Sequence, residues 1–353
     1  MANEPNEKNT TTEDQANETK HEQGTVYVDE KNLDIVLSTK PIGGFRLFMR
    51  EVRADKVALI SLILLAVIIV GIYVGAAIIN ATMDPMENDL RQRNQPGVIT
   101  FRNLDDDVLR IREWREARGE SDPGWFSGLL GTDSQGRYVA PLLIVSAARS
   151  LNIAFAVTAL SFIIGLVMGL ISGFYGGKTD FFIMRFTDTV MIMPTLMVLI
   201  AVITMMENRS ALMFILLLTA FTWMGRTRLV RASALQNRNM DYISASKTLG
   251  TRNPTIIVRE MLPNMVDIVV ANFVLTAAGN IGVETGLTIL GFGMGMEHPS
   301  LGALISNALE PLNMHFFRWT WIPAVILVIL IMLCINFVGN ALQRVADPRQ
   351  RLV

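Results

Sequence analysis

The sequence predicts an all-α membrane protein with six transmembrane helices and both termini on the cytoplasmic side. Hydrophobic residues make up 51% of the 353 residues, and the mean hydropathy is +0.38. Several apolar runs reach the roughly 20 helical residues needed to cross a hydrocarbon core about 30 Å thick. Basic segments fall between these runs at positions that fit a cytoplasmic location, because Lys and Arg are retained on that side.

Two segments precede the first span. Residues 1–35 are rich in Asn, Glu and Thr, so they bury too little apolar surface to offset chain entropy and should be disordered. Residues 36–56 are basic and amphipathic, and Arg46, Arg50 and Arg53 fall on one face of a helix. We expect an interfacial helix there. The first span should follow over residues 57–80.

Residues 81–147 should form an external segment, since the positive charge before the first span keeps the N-terminus inside. The segment is long for a compact membrane protein, so it either has a task or is a tolerated insert. Glycine and Asp at its end favour a tight turn, with the carboxylate accepting hydrogen bonds from backbone N–H groups. The residues concerned are Gly131, Thr132, Asp133, Gly136 and Arg137.

The core of the protein is expected over residues 148–345, followed by a basic C-terminal tail at 346–353. It should contain the second to sixth spans, at residues 151–174, 181–206, 211–225, 263–291 and 319–342. The helix of the fourth span is expected to continue to about Leu235 in the cytoplasm. The even number of spans places both termini on one side.

Three local patterns give more specific expectations within these spans. Glycine recurs every fourth residue from Gly165 to Gly173, which favours close packing of another helix. Pro194 should kink or loosen the third span. Arg185 and Asp188 are three residues apart and are expected to pair.

Two polar residues, Asn280 and Glu284, lie within the fifth span. A carboxylate in an apolar span is costly, so Glu284 should face the bundle interior, water or a partner. A pore-lining role and a structural hydrogen bond between helices are both open.

We expect no catalytic site, metal or cofactor in this chain. The three histidines are scattered, Cys334 lies in an apolar run, and a phosphate-binding Gly-rich loop is absent from the sequence. Any ATP chemistry should therefore come from another chain. The net charge of −1 gives no reason to expect nucleic acid as a partner.

The segment from Gly225 to Asn264 is strongly basic, with seven Lys or Arg residues and only two acidic ones. It predicts two short helices around a glycine hinge along the membrane surface. The first would begin near Asp241 and end at Gly250 in the left-handed conformation. Pro254 suits the first turn of the second helix. That shape favours docking into a groove on a cytoplasmic partner.

This segment resembles the coupling loop of bacterial ABC importer permeases. Ala245, Gly250 and Leu262-Pro263-Asn264 match the pattern, whereas Ser244-Ala245-Ser246 stands where Glu-Ala-Ala is usual. Residues 131–137 are similar to the Gly-Thr-Asp-x-x-Gly-Arg motif of the C-type subunit of dipeptide/oligopeptide permeases. The resemblance extends over about residues 46–348.

The resemblance implies a type I ABC importer permease fold and half of a heterodimeric pore in the bacterial plasma membrane. The implied partners are a B-type permease, two ATP-binding subunits that use ATP and Mg, an extracellular peptide-binding protein and the lipid bilayer. Peptide would cross by alternating access. The implied contacts to the ATPases involve Tyr242, Ser244, Ala245, Ser246, Lys247, Gly250, Arg259, Leu262 and Pro263. Residues 131–137 would form either an external cap near the pore mouth or an ordinary turn.

Other classes of protein also fit part of the pattern. A secondary transporter would be favoured by several charges deep in the spans and by inverted repeats. A membrane anchor or sensor would not need the coupling loop. Within the family, nickel or glutathione could replace peptide as the substrate.

Overall fold

The computed structural model describes residues 49–50, 52–53, 55–82, 85–86, 93–94, 97, 129–206, 209–294 and 298–346. All of them belong to one compact unit, Leu47–Val353. The predicted N-terminal tail, most of the predicted interfacial helix, most of the external segment and nearly all of the C-terminal tail lie outside the described residues. Of the predicted interfacial helix, residues 49–50 and 52–53 are described and are helical.

The described part of the chain is built from α-helices. They are α1 Lys56–Thr82, α2 Val139–Tyr175, α3 Gly177–Ile192, α4 Thr195–Met205, α5 Ala211–Arg238, α6 Asp241–Thr248, α7 Asn253–Phe292, α8 Leu301–Ser306, α9 Pro311–Phe316 and α10 Ile322–Ala346. Helix α7 contains π-helical turns at Ile257–Met261 and Thr288–Phe292. Single 3-10 turns flank α9.

Five of these helices, α1, α2, α5, α7 and α10, are long and apolar enough to cross a membrane. The pair α3 and α4 passes the same test as one bent span, which brings the number of spans to six. The predicted all-α membrane architecture is thereby confirmed.

The third span is broken rather than merely kinked. Its two helices meet at 74°, and Met193 and Pro194 between them have extended backbone angles. Proline lacks the N–H that would continue the helix, and its ring crowds the preceding turn. The predicted weak point at Pro194 is confirmed, and the break is larger than expected.

Helix α2 begins at Val139, well before the predicted start at residue 151. Residues 139–147, which we placed in the external segment, are therefore helical. The predicted start at residue 151 lies just after the charged Arg149. The helix continues because Leu142 and Val145 are buried in the main core, and Pro141 lies in its first turn, where proline is tolerated.

The main core joins α1, α2, α7, α8 and α10. Its members include Ile72, Leu151, Ile281, Leu301 and Ile331, each at most 5% exposed. Helix α8, which lies between the predicted fifth and sixth spans, thus contributes Leu301 and Leu304 to the core. A second cluster joins α2, α4, α5 and α7.

The glycine stripe of α2 packs against α5, as predicted. A Cβ atom at Gly165 would lie 2.5 Å from Cβ of Arg226, and one at Gly173 would lie 2.6 Å from Cβ of Ala234. A Cβ atom at Gly169 would lie 2.7 Å from Cβ of Val230. Only glycine permits this approach, because real Cβ atoms do not come so close.

The predicted pair of Arg185 and Asp188 is wrong. Asp188 on α3 bonds instead to Arg228 on α5, while the Arg185 guanidinium lies 5.4 Å from the ring centroid of Phe181. Helical spacing identifies which side chains can meet on one helix, but the packed neighbour offered Asp188 a closer cation.

Candidate functional site

The basic segment forms a hinge between α5 and α7. Helix α5 continues to Arg238, so residues 225–238 are part of a long helix and only residues after it turn away. We call residues 239–264 the hinge segment. Helix α6 ends before Gly250, whose φ is 77°, and Pro254 lies in the first turn of α7. The predicted short helix before Gly250 and the left-handed glycine are confirmed, whereas the predicted second short helix is wrong, because the chain from Asn253 onward is already the start of the long helix α7.

The end of α6 has the hydrogen bonds of a Schellman motif. The N–H of Gly250 donates to the Lys247 carbonyl at 3.0 Å, and that of Thr251 donates to the Ser246 carbonyl at 3.1 Å. This closure requires a left-handed residue after the helix, and glycine adopts that conformation without a Cβ clash. The direction in which the chain leaves α6 is therefore fixed by the backbone.

The hinge segment is attached to the spanning helices by an apolar cluster. Ile243, Ile256 and Met261 are fully buried, and they pack in one cluster with Phe174 of α2 and Val230 of α5. Burial of side chains of this size stabilises a contact by about 1.5–3 kcal/mol each. Helix α6 is therefore packed firmly against the ends of α2, α5 and α7.

Two side-chain hydrogen bonds connect α6 to α7 and to α5. The Ser246 hydroxyl donates to the Glu260 carboxylate, which joins α6 to α7 across the glycine turn. The Tyr242 hydroxyl donates to the Asn237 side-chain oxygen at 2.9 Å, and burial raises the pKa of Tyr242. Both contacts hold α6 against its neighbours.

The outer face of α6 is exposed. Most of the residues that we predicted to contact an ATPase lie on this face or beside it. The exposed ones are Ser244, Ala245, Lys247, Gly250, Arg259 and Pro263. The half-buried ones are Tyr242, Ser246 and Leu262. The prediction missed Leu249, which is 84% exposed at the tip. The available signal was a large apolar residue between Thr248 and Gly250 in an otherwise polar turn.

An ion pair braces the base of the hinge. Arg231 of α5 makes two bonds to Asp180 of α3, at 2.5 and 2.6 Å, and the Ser172 hydroxyl of α2 donates to the same carboxylate. Bidentate Arg–carboxylate pairs fix geometry as well as adding energy. Three spanning segments are thus tied together beside α6.

The motif at residues 131–137 forms the predicted tight turn. Gly131 and Gly136 have φ of 75° and 81°. The Asp133 carboxylate accepts hydrogen bonds from the backbone N–H groups of Gln135 at 2.8 Å and Arg137 at 3.0 Å. It also pairs with the Arg137 guanidinium at 2.7 Å.

This turn is bound inward to the bundle. Thr132 and Asp133 are 0% and 2% exposed, and the Trp319 indole donates to the Thr132 carbonyl at 3.2 Å. These contacts give the motif at residues 131–137 a structural role within the chain. A contact of the turn with a binding protein stays a prediction.

Glu284 is fully buried within the chain. Its carboxylate accepts hydrogen bonds from the hydroxyls of Thr285 and Thr288, both at 3.3 Å, and it is also hydrogen-bonded to the side chains of Ser150 and Ser300. Of the two roles left open for Glu284, this position favours the structural hydrogen bond over pore lining.

Asn280, by contrast, lines a groove between α5 and α7. The groove has a volume of about 370 Å³ and is also lined by Thr222, Arg226, Asn272 and Thr276. The Asn280 amide donates to the Thr158 hydroxyl at 2.8 Å, which fixes it against α2. A pore-lining role for Asn280 stays a prediction that its position supports.

Broken and continuous spans joined by an exposed hinge define a membrane permease. The chain belongs to the family of binding-protein-dependent transport system inner membrane components, which it matches over residues 165–352. It is a multi-pass protein of the bacterial plasma membrane with a type I importer permease fold. Family membership replaces the secondary-transporter and anchor interpretations.

Individual relatives agree with this assignment. The oligopeptide transport system permease protein OppC of Lactococcus lactis subsp. cremoris is 40% identical over 300 residues, which are 85% of this chain and 93% of that protein. The dipeptide transport system permease protein DppC of the same subspecies is 28% identical over 85% of this chain and 89% of that protein.

Two further matches are more partial. The peptidoglycan transport system permease protein YejE of Agrobacterium fabrum is 33% identical over 66% of this chain and 61% of that protein. A chain of the inward-facing MetNI methionine ABC transporter is 19% identical, with a TM-score of 0.48 over 58% of this chain and 96% of that chain.

Proposed function

We propose that this chain is a permease subunit of an ATP-driven peptide importer and forms half of its translocation pore. Two relatives that it matches along nearly their whole length are named as oligopeptide and dipeptide permeases. The other half of the pore would be a B-type permease. Peptide would arrive on an extracellular binding protein, and two further subunits would hydrolyse ATP with Mg.

The observation that carries this proposal is the exposed α6 tip on a rigidly anchored hinge. Leu249 projects from the tip with 84% exposure, while Ile243 on the inner face is fully buried against α2, α5 and α7. An apolar anchor surrounded by polar groups suits insertion into a groove on another protein. A displacement of the α6 tip would therefore be transmitted to α2, α5 and α7 together.

The chemistry of the hinge suggests how it would contact an ATPase. Ser244 stands where the resembling loops carry Glu, and Glu260 is already bonded to Ser246. The exposed charges near the tip are instead basic, namely Lys247, Arg252 and Arg259. We expect the ionic part of the contact to pair these cations with carboxylates of the ATPase.

In this mechanism the chain converts movement of the ATPases into opening and closing of the pore, and it does not hydrolyse ATP itself. Closure of the ATPases on ATP would move α6, and the cluster beneath it would carry the motion into α2, α5 and α7. The spans would then open toward the binding protein, and peptide would pass along the groove side of α5 and α7. Hydrolysis would reset the pore.

Uptake by the complete transporter in proteoliposomes tests this proposal. The chain is co-purified with the B-type permease, ATP-binding subunits and binding protein of its own genome, and uptake of labelled peptide, glutathione and nickel is compared. We expect peptide uptake that requires ATP and the binding protein. The matched control is the same complex with hydrolysis-deficient ATPases, which should show none.

Two outcomes would contradict the proposal. Uptake of nickel or glutathione in place of peptide would overturn the substrate. Peptide uptake driven by an ion gradient without ATP would overturn the importer mechanism itself.

A further inference from the structure

Among the described residues that line the groove between α5 and α7, Arg226 is the one cationic side chain. The polar groups beside it are the hydroxyls and amides of Thr222, Asn272, Thr276 and Asn280, and among the described residues that line the groove there is no carboxylate. Its volume of about 370 Å³ falls within the range of small-molecule sites, about 300–1,000 Å³. The groove is therefore a concavity among the spans with a mixed polar and apolar lining, which includes Leu275 and Val283, and with one positive charge.

Arg226 is held in position by the packing beneath it. Its guanidinium lies 5.6 Å from the ring centroid of Phe162, and that ring is buried against Phe273 at a centroid distance of 5.4 Å. A cation over an aromatic face is attracted to the ring electrons. Gly165 also allows the backbone of α5 to approach α2 at this point.

The Arg226 guanidinium is nevertheless incompletely paired. Its Nε atom is buried, and among the described residues it has no hydrogen-bond acceptor. Two other arginines of the same helix differ, because Arg228 pairs with Asp188 and Arg231 with Asp180. A cation within a span is costly unless it is paired or serves a pathway. Its two Nη atoms form a planar edge that suits two parallel bonds to a carboxylate.

We propose that Arg226 binds the C-terminal carboxylate of a peptide as the peptide passes through the groove. This inference rests on the proposed function and names the group by which the permease itself would recognise its substrate. Every unmodified peptide carries that carboxylate in its charged form at neutral pH. The hydroxyls and amides of Thr222, Asn272 and Thr276 offer partners for the peptide backbone that follows.

The experiment compares Arg226→Gln with wild type in the complete transporter in proteoliposomes. Each complex is given one peptide as the free acid and as the C-terminal amide, both at concentrations that saturate the binding protein. We expect Arg226→Gln to lower uptake of the acid roughly tenfold, as for loss of one charge-assisted bond, and to leave uptake of the amide near wild type. Arg226→Lys should fall between, because it keeps the charge but not the planar edge.

Arg185→Gln is the matched control. Arg185 also lies over an aromatic ring, that of Phe181, but it does not line the groove. We expect it to transport acid and amide as wild type does. An equal loss with this control would attribute the effect to net charge and overturn the inference.

The remaining outcomes also decide the matter. Equal loss of acid and amide uptake in Arg226→Gln would overturn carboxylate binding. Loss of the co-purifying B-type permease would assign Arg226 to the subunit interface, and a loss that follows the anionic lipid content would assign it to a lipid phosphate; either overturns the inference. Wild type that takes up neither peptide form would instead overturn the proposed function.

Discussion

Glu284 is bonded by hydroxyl groups from three parts of the chain. Thr288 lies on the same helix, Ser150 lies on α2, and Ser300 precedes α8. Ser150 also accepts the Leu301 backbone N–H at 3.0 Å. The carboxylate therefore joins α2, α7 and the start of α8 inside the bundle, which is a structural task.

We predict that Glu284→Gln assembles and transports peptide at close to the wild-type rate, because an amide can still accept and donate in this network. Glu284→Leu should instead remove the carboxylate acceptor of the Thr285 hydroxyl and lower the free energy of unfolding by about 1–3 kcal/mol, although the Thr288 hydroxyl keeps its bond to the backbone carbonyl of residue 284. Thermal unfolding of the purified complex, measured beside uptake, separates the two effects. A folded, fully assembled Glu284→Gln variant that loses uptake would restore the pore-lining role.

The sequence identified Glu284 as a costly residue but could not identify its partners. Ser150 and Ser300 are far from it along the chain, and no periodic pattern relates them. The surroundings of Arg226 were also not evident from the sequence. The expected continuation of the fourth-span helix through Arg226 is confirmed, but nothing in the sequence indicated that this side chain lines a groove. A helix end estimated from hydropathy is least certain where the charge lies on a face that packs.

At the scale of elements, the contact of α2 with α5 depends on small residues. The stripe at Gly165, Gly169 and Gly173 was visible in the sequence because its spacing is local. The helix that packs against the stripe could not be predicted, because small-residue spacing indicates that some helix approaches closely but does not identify that helix. The structure supplies α5 as that helix.

We predict that Gly169→Ala destabilises the protein, because its new Cβ would lie 2.7 Å from Cβ of Val230 and 2.8 Å from the Thr227 carbonyl oxygen. Overpacking of this kind costs about 1–3 kcal/mol. Gly71→Ala on α1 is the matched control, since a Cβ there has nothing within 4 Å. Thermal unfolding in detergent should be lowered only in the first variant. Equal unfolding temperatures would contradict close packing of α2 on α5.

Elements that depend on special residues were the easiest to predict. Gly250 and Pro254 predict the position of the glycine turn and of the next helix start, because each residue has a strong backbone preference. The extent of α2 and the 74° break of the third span were less predictable. Both depend on neighbours that bury or displace the chain, which local sequence does not encode.

At the scale of the whole molecule, the fold places an exposed tip at one end of long helices and a groove along them. Helix α5 has 28 residues, so it spans about 42 Å at roughly 1.5 Å per residue. It carries the hinge at its C-terminal end and contributes Thr222 and Arg226 to the groove. Helix α5 therefore connects the hinge segment, which would contact the ATPase, to the groove, which would face the substrate.

The central claim is that the α6 tip contacts an ATPase whose state it senses, and a cysteine cross-link tests it directly. Cys334 is buried and is first replaced by Ser. A cysteine is then placed at Leu249, and the control carries one at Met205; both positions are 84% exposed, and Met205 lies near the other end of α5. The account predicts a cross-link from position 249 to the ATP-binding subunit that changes with ATP, and none from position 205. Absence of any cross-link from position 249 in a folded, inserted complex would contradict the account.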